Sequence, residues 1–473
     1  MLRETDRLIL WRKIMREKGS KLFHSKTIAY AAGVLSILAL HYYEQIRDYP
    51  YDAGVYWYEG AVYGLEKFSI YNYSYPLRGY LFPLFTYAIR KLAFEGLGSE
   101  RKVFCIVTSL LYSLFFMILI PQILKIMFEI IVPLWSRLIF TAVCIIMFRG
   151  MILYPLTDLF GIMLLCIAVY FFLILTQNRI KKKSMQILCA VCMGIALGGA
   201  YYVRPVYLIT WIAFAGIVFF EIFKTKKWIL LFGILGMLFI AMPQVCINHM
   251  HFDTWSPMIQ TQLDLGESLY LSQLEWGVSM QKYETNIDDT VEDIPAGMVF
   301  EDLTGKEILE EEGGIDSYFS YVRFCFRHLA DMACIYLKHI FNGMDIVYPM
   351  IYIKNVFCNR FVTQLINYTL IFFGIEGLLF FIKKKCWDRL IVSMAVTYCL
   401  PILLVVPTAV ETRFFVGAHI VLYLFGVAAL TNRDWWNKFV LYKWKKVGIY
   451  ILFLGMCFLL NSQTFNCYGI PLW

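Results

Sequence analysis

Residues 156–176 read LTDLFGIMLLCIAVYFFLILT. The stretch holds a single charge, Asp158, and from Leu159 to Leu175 every residue is apolar or glycine. A helix needs about 20 such residues to cross the hydrocarbon core of a bilayer, whereas a core helix of a water-soluble domain keeps one polar face. Ten further stretches have the same character: 27–43, 103–128, 132–148, 185–203, 206–222, 228–247, 361–382, 389–407, 414–430 and 447–461. The sequence therefore predicts an all-α polytopic membrane protein with about 11 transmembrane helices.

Composition agrees. Of 473 residues, 60% are hydrophobic and only 16% charged, where a soluble chain would carry about 25% charge on its skin. Aromatics make up 18%, as expected when Tyr and Trp sit at headgroup depth. The net charge of +8 is gathered in short clusters, which excludes a nucleic-acid footprint. The 13 cysteines give no disulfide framework: Cys105, Cys144, Cys166 and Cys399 lie in apolar runs, and Cys189 and Cys192 form a CxxC without a second pair.

The basic clusters orient the chain. Arg3, Arg7, Arg12, Lys13, Arg16, Lys18, Lys21 and Lys26 place residues 1–26 in the cytoplasm as a leader, and the first apolar stretch is expected to stay as an anchor. Counting crossings from there, Arg179 with Lys181–Lys183, Lys224 with Lys226 and Lys227, Lys383–Lys385, and Arg433 to Lys446 all fall on the cytoplasmic side. Residues 27–247 then form an N-terminal transmembrane module with a first outer loop over 44–101. Residues 248–360 form an acidic extracytoplasmic loop, and 361–473 the C-terminal helices. Within the long loop, 253–316 holds sixteen acids against Lys282 and Lys306 alone, the pattern of a solvated outer domain. The part over 329–348 is amphipathic, suited to lying at a membrane surface.

The first outer loop opens with Arg47-Asp48-Tyr49-Pro50-Tyr51-Asp52-Ala53-Gly54-Val55-Tyr56-Trp57-Tyr58-Glu59-Gly60. Asp52 can cap a following helix. On that helix Asp52, Tyr56, Glu59 and Tyr63 share one face, while Val55, Tyr58, Val62 and Leu65 form an apolar stripe. The pattern predicts an in-plane helix with its acidic face toward a cleft. Arg78, Asp158, Arg204, Glu411 and Arg413 all fall near the same membrane surface as Asp48 and Asp52. Ionisable groups at membrane depth mark function by default, and the guanidinium fork is the natural partner of a phosphate. Acid and arginine together suit one reaction: a carboxylate takes the proton of an acceptor hydroxyl, the hydroxyl attacks a sugar C1, and arginines hold the departing lipid phosphate.

At these residues the chain resembles the C-type integral membrane glycosyltransferases, which include protein O-mannosyltransferases, aminoarabinose transferases of lipid A and bacterial cell-surface glycan enzymes. Asp52-Ala53-Gly54-Val55-Tyr56 with Gly60 and Ala61 is similar to their first-loop motif. Tyr154-Pro155-Leu156-Thr157-Asp158 resembles their Pro-x-x-Asp at a helix start, and Glu411-Thr412-Arg413-Phe414-Phe415 their late Arg-Phe segment. Many members have an adjacent acidic pair; here Ala53 follows Asp52, so a second acid would come from Asp48 or Asp158. The resemblance implies a polyprenyl-phosphate-linked sugar donor, a glycan, lipid or protein acceptor, inversion at the sugar carbon and no nucleotide sugar. It implies Asp52 as base with Asp48 as runner-up, and Asp158 in support. Arg78, Arg204, Arg413, Glu411 and Tyr56 would bind the lipid phosphate and substrate. A bacterial plasma membrane with the active site extracytoplasmic follows from the same resemblance. No cofactor is fixed; a divalent cation is the one candidate, and His249 and His251 near Asp253 are the weak metal-type pattern in the long loop.

Two other classes compete. A flippase or transporter of lipid-linked glycans would show related halves and broken helices at the midplane, and the chain has no internal repeat. A glycan polymerase would favour Arg and His in the large outer loop, which is strongly acidic instead.

Overall fold

The computed structural model describes residues 26–262, 268–292, 294–382, 400–441 and 443–468. It opens with α1 (26–44), a helix over the first expected span, 27–43, that is not among the helices long and apolar enough to cross a membrane. Helices α2 (Tyr51–Val62) and α3 (Leu81–Leu92) follow. The N-terminal bundle continues with α4 (Glu100–Phe128), α5 (Leu134–Met147), α6 (Thr157–Thr176), α7 (Lys183–Val203), α8 (Pro205–Thr225) and α9 (Trp228–Phe252). The acidic segment contributes α10 (Leu269–Ser279), β1 (Met280–Asn286), β2 (Gly297–Glu301), α11 (Leu303–Glu312), α12 (Tyr318–Arg327), α13 (Leu329–Met344) and β3 (Tyr352–Ile353). The chain then returns as α14 (Phe361–Ile382), α15 (Thr412–Leu430) and α16 (Lys443–Asn466).

Among the described residues, eight helices are long and apolar enough to cross a membrane: α4, α6, α7, α8, α9, α14, α15 and α16. The protein is membrane-embedded, and its spanning part is all helix. Helix α5, expected as a span over 132–148, has 14 residues, about 21 Å of rise, and breaks at Phe148 before a short turn of helix Arg149–Leu153. Most of the expected span 389–407 lies outside the described residues, as do the leader up to residue 25 and Lys383–Lys385; of that span residues 400–407 are described, as the helix Leu400–Val405 and the turn after it.

Apolar helices gain little from the hydrophobic effect inside lipid, so close backbone packing must hold them together. Helices α7 and α9 cross at Gly194, where a Cβ would collide with the Gly233 carbonyl, and α14 and α15 meet in the same way at Gly374 and Gly377. The core between them is made by Phe115 and Phe116 of α4, Leu159 and Cys166 of α6, Ala190 and Leu197 of α7, and Ile420 and Tyr423 of α15.

The acidic segment, expected as a solvated outer domain, is folded. It holds a three-stranded sheet ordered β2-β1-β3, with β1 antiparallel to β2 and parallel to β3. Strand β1 reads MQKYETN, and its Lys282 and Glu284 are buried. The polar spelling hides the strand because these side chains pair with one another rather than with water. The amphipathic stretch 329–348 is largely α13, which turns Met332, Ile335 and His339 inward.

Candidate active site

Helix α2 starts at Tyr51, directly after Pro50, whose fixed φ suits a helix entrance. Gly60 lets it lie on α3, since a Cβ there would meet the backbone of Thr86 and Tyr87. Ala53, Tyr56, Trp57 and Glu59 face inward, while Tyr51, Val55, Tyr58 and Val62 are exposed. The facing agrees with the expectation from the sequence, with the apolar residues Val55, Tyr58 and Val62 outward and the acidic face toward the protein.

Asp52 does not cap the helix. Its Oδ1 accepts from Arg78 Nη2 at 2.8 Å, and its Oδ2 accepts from Arg413 Nη2 at 2.8 Å. Burial alone would raise its pKa, but Arg413 and Arg78 outweigh that and hold the carboxyl well below the usual carboxylate range. The carboxylate still keeps 31% of its side chain exposed, so the site is open.

Each arginine is set by its own scaffold. Arg78 sits in the loop before α3, and Gly79 brings that loop onto α7 so closely that a Cβ would collide with the Tyr202 backbone. Tyr73 Oη donates to the Arg78 and Gly79 carbonyls at 3.2 and 3.4 Å. The Arg78 guanidinium donates to Tyr56 Oη and lies 4.3 Å from the centre of that ring. Arg413 stands in the single turn of 3-10 helix, Thr412–Phe415, that opens α15. Its Nε lies 2.6 Å from Glu411 Oε2, and its Nη2 also donates to Glu411 Oε1 at 2.9 Å. Arg204 occupies the break between α7 and α8 and donates to Asp158 Oδ1 at the head of α6. Phe414 separates the two late arginines, with its ring centre 4.7 Å from Arg204 and 5.4 Å from Arg413.

The structure thus brings seven of the eight expected residues to one end of the bundle: Asp52, Tyr56, Arg78, Asp158, Arg204, Glu411 and Arg413. Tyr56 Oη lies 3.4 Å from Thr157 Oγ1, which links the Asp52 helix to the Asp158 helix. Asp48 does not join them. It is exposed and makes no ion pair or hydrogen bond among the described residues, whereas Asp158 and Glu411 pair with Arg204 and Arg413.

Two groups were not on the expected list. Glu59, two turns beyond Asp52, is 9% exposed, its Oε1 has no hydrogen-bond partner among the described residues, and its Oε2 lies 3.5 Å from Tyr73 Oη. Burial pushes its pKa up to about 7, against the opposing pull of Arg78. Its sequence signal was the spacing of seven from Asp52 on one helical face. Tyr352 of β3 accepts the Ala53 amide at 3.0 Å and packs edge-on against Tyr154, with ring centres 4.7 Å apart. Nothing in the local sequence marks it.

The weaker expectations resolve differently. His249 stacks on Trp255 at 3.9 Å, and His251 Nε2 lies 2.6 Å from the Tyr71 carbonyl. Among the described residues no three His, Cys, Asp or Glu side chains gather as a metal-binding group.

Chemically, the cluster offers an ionised carboxylate held between two guanidinium groups, with a third guanidinium beside them. An arriving phosphate would meet the same donors that now serve Asp52. No protein-family model, no curated protein and no solved structure matches this chain.

Proposed function

We propose that the protein is a membrane glycosyltransferase that moves a sugar from a polyprenyl-phosphate donor to an acceptor hydroxyl, with inversion and with Asp52 as general base. The observation that carries this reading is the convergence of Arg78 and Arg413 on the two oxygens of Asp52. The site would face the exported side of a bacterial plasma membrane, and no nucleotide sugar would be used.

The geometry supports a binding order within the reaction. A donor phosphate takes Arg78 and Arg413, with Arg204 beside them, because a phosphate accepts guanidinium forks better than a carboxylate whose two oxygens are already divided. Asp52 loses its two cations to the phosphate, and its pKa rises toward the ordinary carboxylate range. It then takes the acceptor proton. The acceptor oxygen attacks C1 from the face opposite the phosphate, and the C1–O bond breaks with its electron pair leaving on the phosphate. The arginines hold that charge, and their positions are set before reaction by Glu411, Asp158 and Tyr56.

The exposed stripe of α2 supports the same reading, since Val55, Tyr58 and Val62 suit a helix whose outer face meets lipid where a prenyl tail would enter. Purified protein supplied with a labelled polyprenyl-phosphate sugar is expected to transfer or slowly hydrolyse it. Asp52→Asn is expected to lower the rate by about 10²–10⁴-fold with the fold retained. Undiminished turnover in that variant would remove Asp52 from the mechanism, and movement of intact lipid across vesicles would favour a flippase.

A further inference from the structure

The acidic segment has no assigned part in this chemistry, yet it grips the turn that carries Arg413 at three places. The Tyr283 amide of β1 donates to the Val410 carbonyl at 2.9 Å. Gly277, at the end of α10, packs so tightly on Pro407 and Thr408 that a Cβ would collide with their backbone. His339 of α13 lies between the Val406 and Met280 carbonyls, at 2.6 and 3.0 Å, and so ties the start of β1 to the same turn.

Strand β1 is itself anchored from within by a charge. Lys282 is fully buried; its ammonium lies 3.3 Å from Glu284 Oε1, 3.2 Å from the Asp345 carbonyl and 3.8 Å from Asp345 Oδ2. Asp345, also fully buried, accepts from Tyr368 Oη of α14 at 2.7 Å and from Asn461 Nδ2 of α16 at 2.6 Å. One lysine thereby joins the strand to the end of α13 and to two spanning helices. Burying charges costs free energy that an apolar contact would not, and the best-attested gain from such a pair is the fixing of one register. A merely solvated outer domain has no use for a register relative to the bundle. A strand that aims an arginine does, because a displacement of about 1 Å at a catalytic group costs on the order of 10²-fold in rate.

We propose that Lys282 is a positioning residue for Arg413: by locking β1 to Asp345 it holds the 406–413 turn where the Arg413 guanidinium reaches Asp52. The acidic segment is then part of the machinery of the site. The functional weight of this inference rests on the reading of Arg413 as a phosphate clamp, while the mechanical claim stands apart from it.

Two measurements on the full chain in lipid nanodiscs test them separately. In the first, amide hydrogen exchange is compared between wild type, Lys282→Met and Lys306→Met, the last removing an exposed partner of Glu301 in the same segment. Lys282→Met is expected to speed exchange over 406–415 by about ten-fold, and Lys306→Met to leave it unchanged. Should Lys282→Met fail to fold, Lys282→Met with Glu284→Gln and Asp345→Asn removes the anchor without leaving a lone buried charge, and the same acceleration is expected. Unchanged exchange over 406–415 in the folded variant overturns the proposal. In the second, binding of sugar-free polyprenyl phosphate is measured for Lys282→Met, Arg413→Ala and the double variant. A residue acting through Arg413 adds no further loss to Arg413→Ala, whereas additive losses mean Lys282 acts elsewhere and overturn its positioning role. If Arg413→Ala binds the lipid phosphate as well as wild type, the clamp reading fails, and the exchange measurement still decides the role of Lys282.

Discussion

Two carboxylates on one face of α2 live in opposite electrostatic settings. Asp52 is surrounded by cations and stays ionised, while Glu59 is buried with one oxygen unpartnered and its pKa pushed up to about 7. The groups facing Glu59 are Arg78, Tyr73 and Asp52. Because its folded-state pKa lies above the ordinary 4.5, its contribution to stability is fully present below about pH 4.5 and is lost as pH rises through about 7. Glu59→Gln mimics the protonated form and is expected to abolish that part of the pH dependence. Thermal midpoints taken from pH 4 to 8 should show wild type losing ground to the variant as pH rises, with the gap largest above pH 7. Glu284, similarly raised to about 7, is present in both proteins and cancels in the difference. Parallel pH curves would mean that Glu59 is not held protonated. At this scale Asp52 was legible because an acid, an aromatic four residues on and an apolar stripe share one helical period. Glu59 had the same spacing signal, but only burial and the absence of a partner for Oε1 distinguish it from a solvated acid.

Helix α2, the Arg78 loop and strand β1 show where the reading of elements succeeds and where it stops. The facing of α2 followed from its period, since an exposed Val55–Tyr58–Val62 stripe and a buried Tyr56–Glu59 face need no knowledge of the rest of the chain. Strand β1 was invisible because Gln281, Lys282, Glu284 and Asn286 spell a solvated segment, and only partners distant in sequence make their burial tolerable. The Arg78 loop lies between these cases. The arginine was singled out by its expected place near the outer membrane surface, but its aim depends on Gly79 meeting Tyr202, a contact no local pattern announces. Gly79→Ala puts a Cβ into the Tyr202 backbone and must lift the loop away from α7. Its kcat/KM for donor is expected to fall on the order of 10²-fold with the thermal midpoint nearly unchanged, as misplacement of a catalytic group predicts. Wild-type kinetics in that variant would show that the loop's approach to α7 does not set Arg78.

At the scale of the whole molecule, charge is sorted by depth. Helix α7 runs about 31 Å from Lys183 to Val203, so the basic residues at its start and the Arg204 cluster at its end lie at opposite ends of the bundle. Asp52 and Arg413 are 361 residues apart in the chain and meet through a direct ion pair. In the sequence their nearness was legible only as an expected place at the same membrane surface; which side chains touch depends on how the helices cross, and hydropathy does not encode that. The proposed sidedness gives a direct expectation for Cys334, which is exposed on α13 of the acidic segment. A membrane-impermeant maleimide should label it in right-side-out vesicles, with the signal lost in Cys334→Ser. Labelling only in inverted vesicles would put the acidic segment, and the site beneath it, in the cytoplasm.

If the arginines now engaged by Asp52 are the seat of a lipid phosphate, that phosphate must displace the carboxylate. An experimental structure of the full chain in nanodiscs with a polyprenyl phosphate tests it most directly. Phosphate density is expected within hydrogen-bond reach of Arg78 and Arg413, beside Arg204, with the Asp52 carboxylate released from both guanidinium groups and the prenyl tail leaving past the exposed stripe of α2. Phosphate density elsewhere on the bundle, with Asp52 still paired to Arg78 and Arg413, would contradict it.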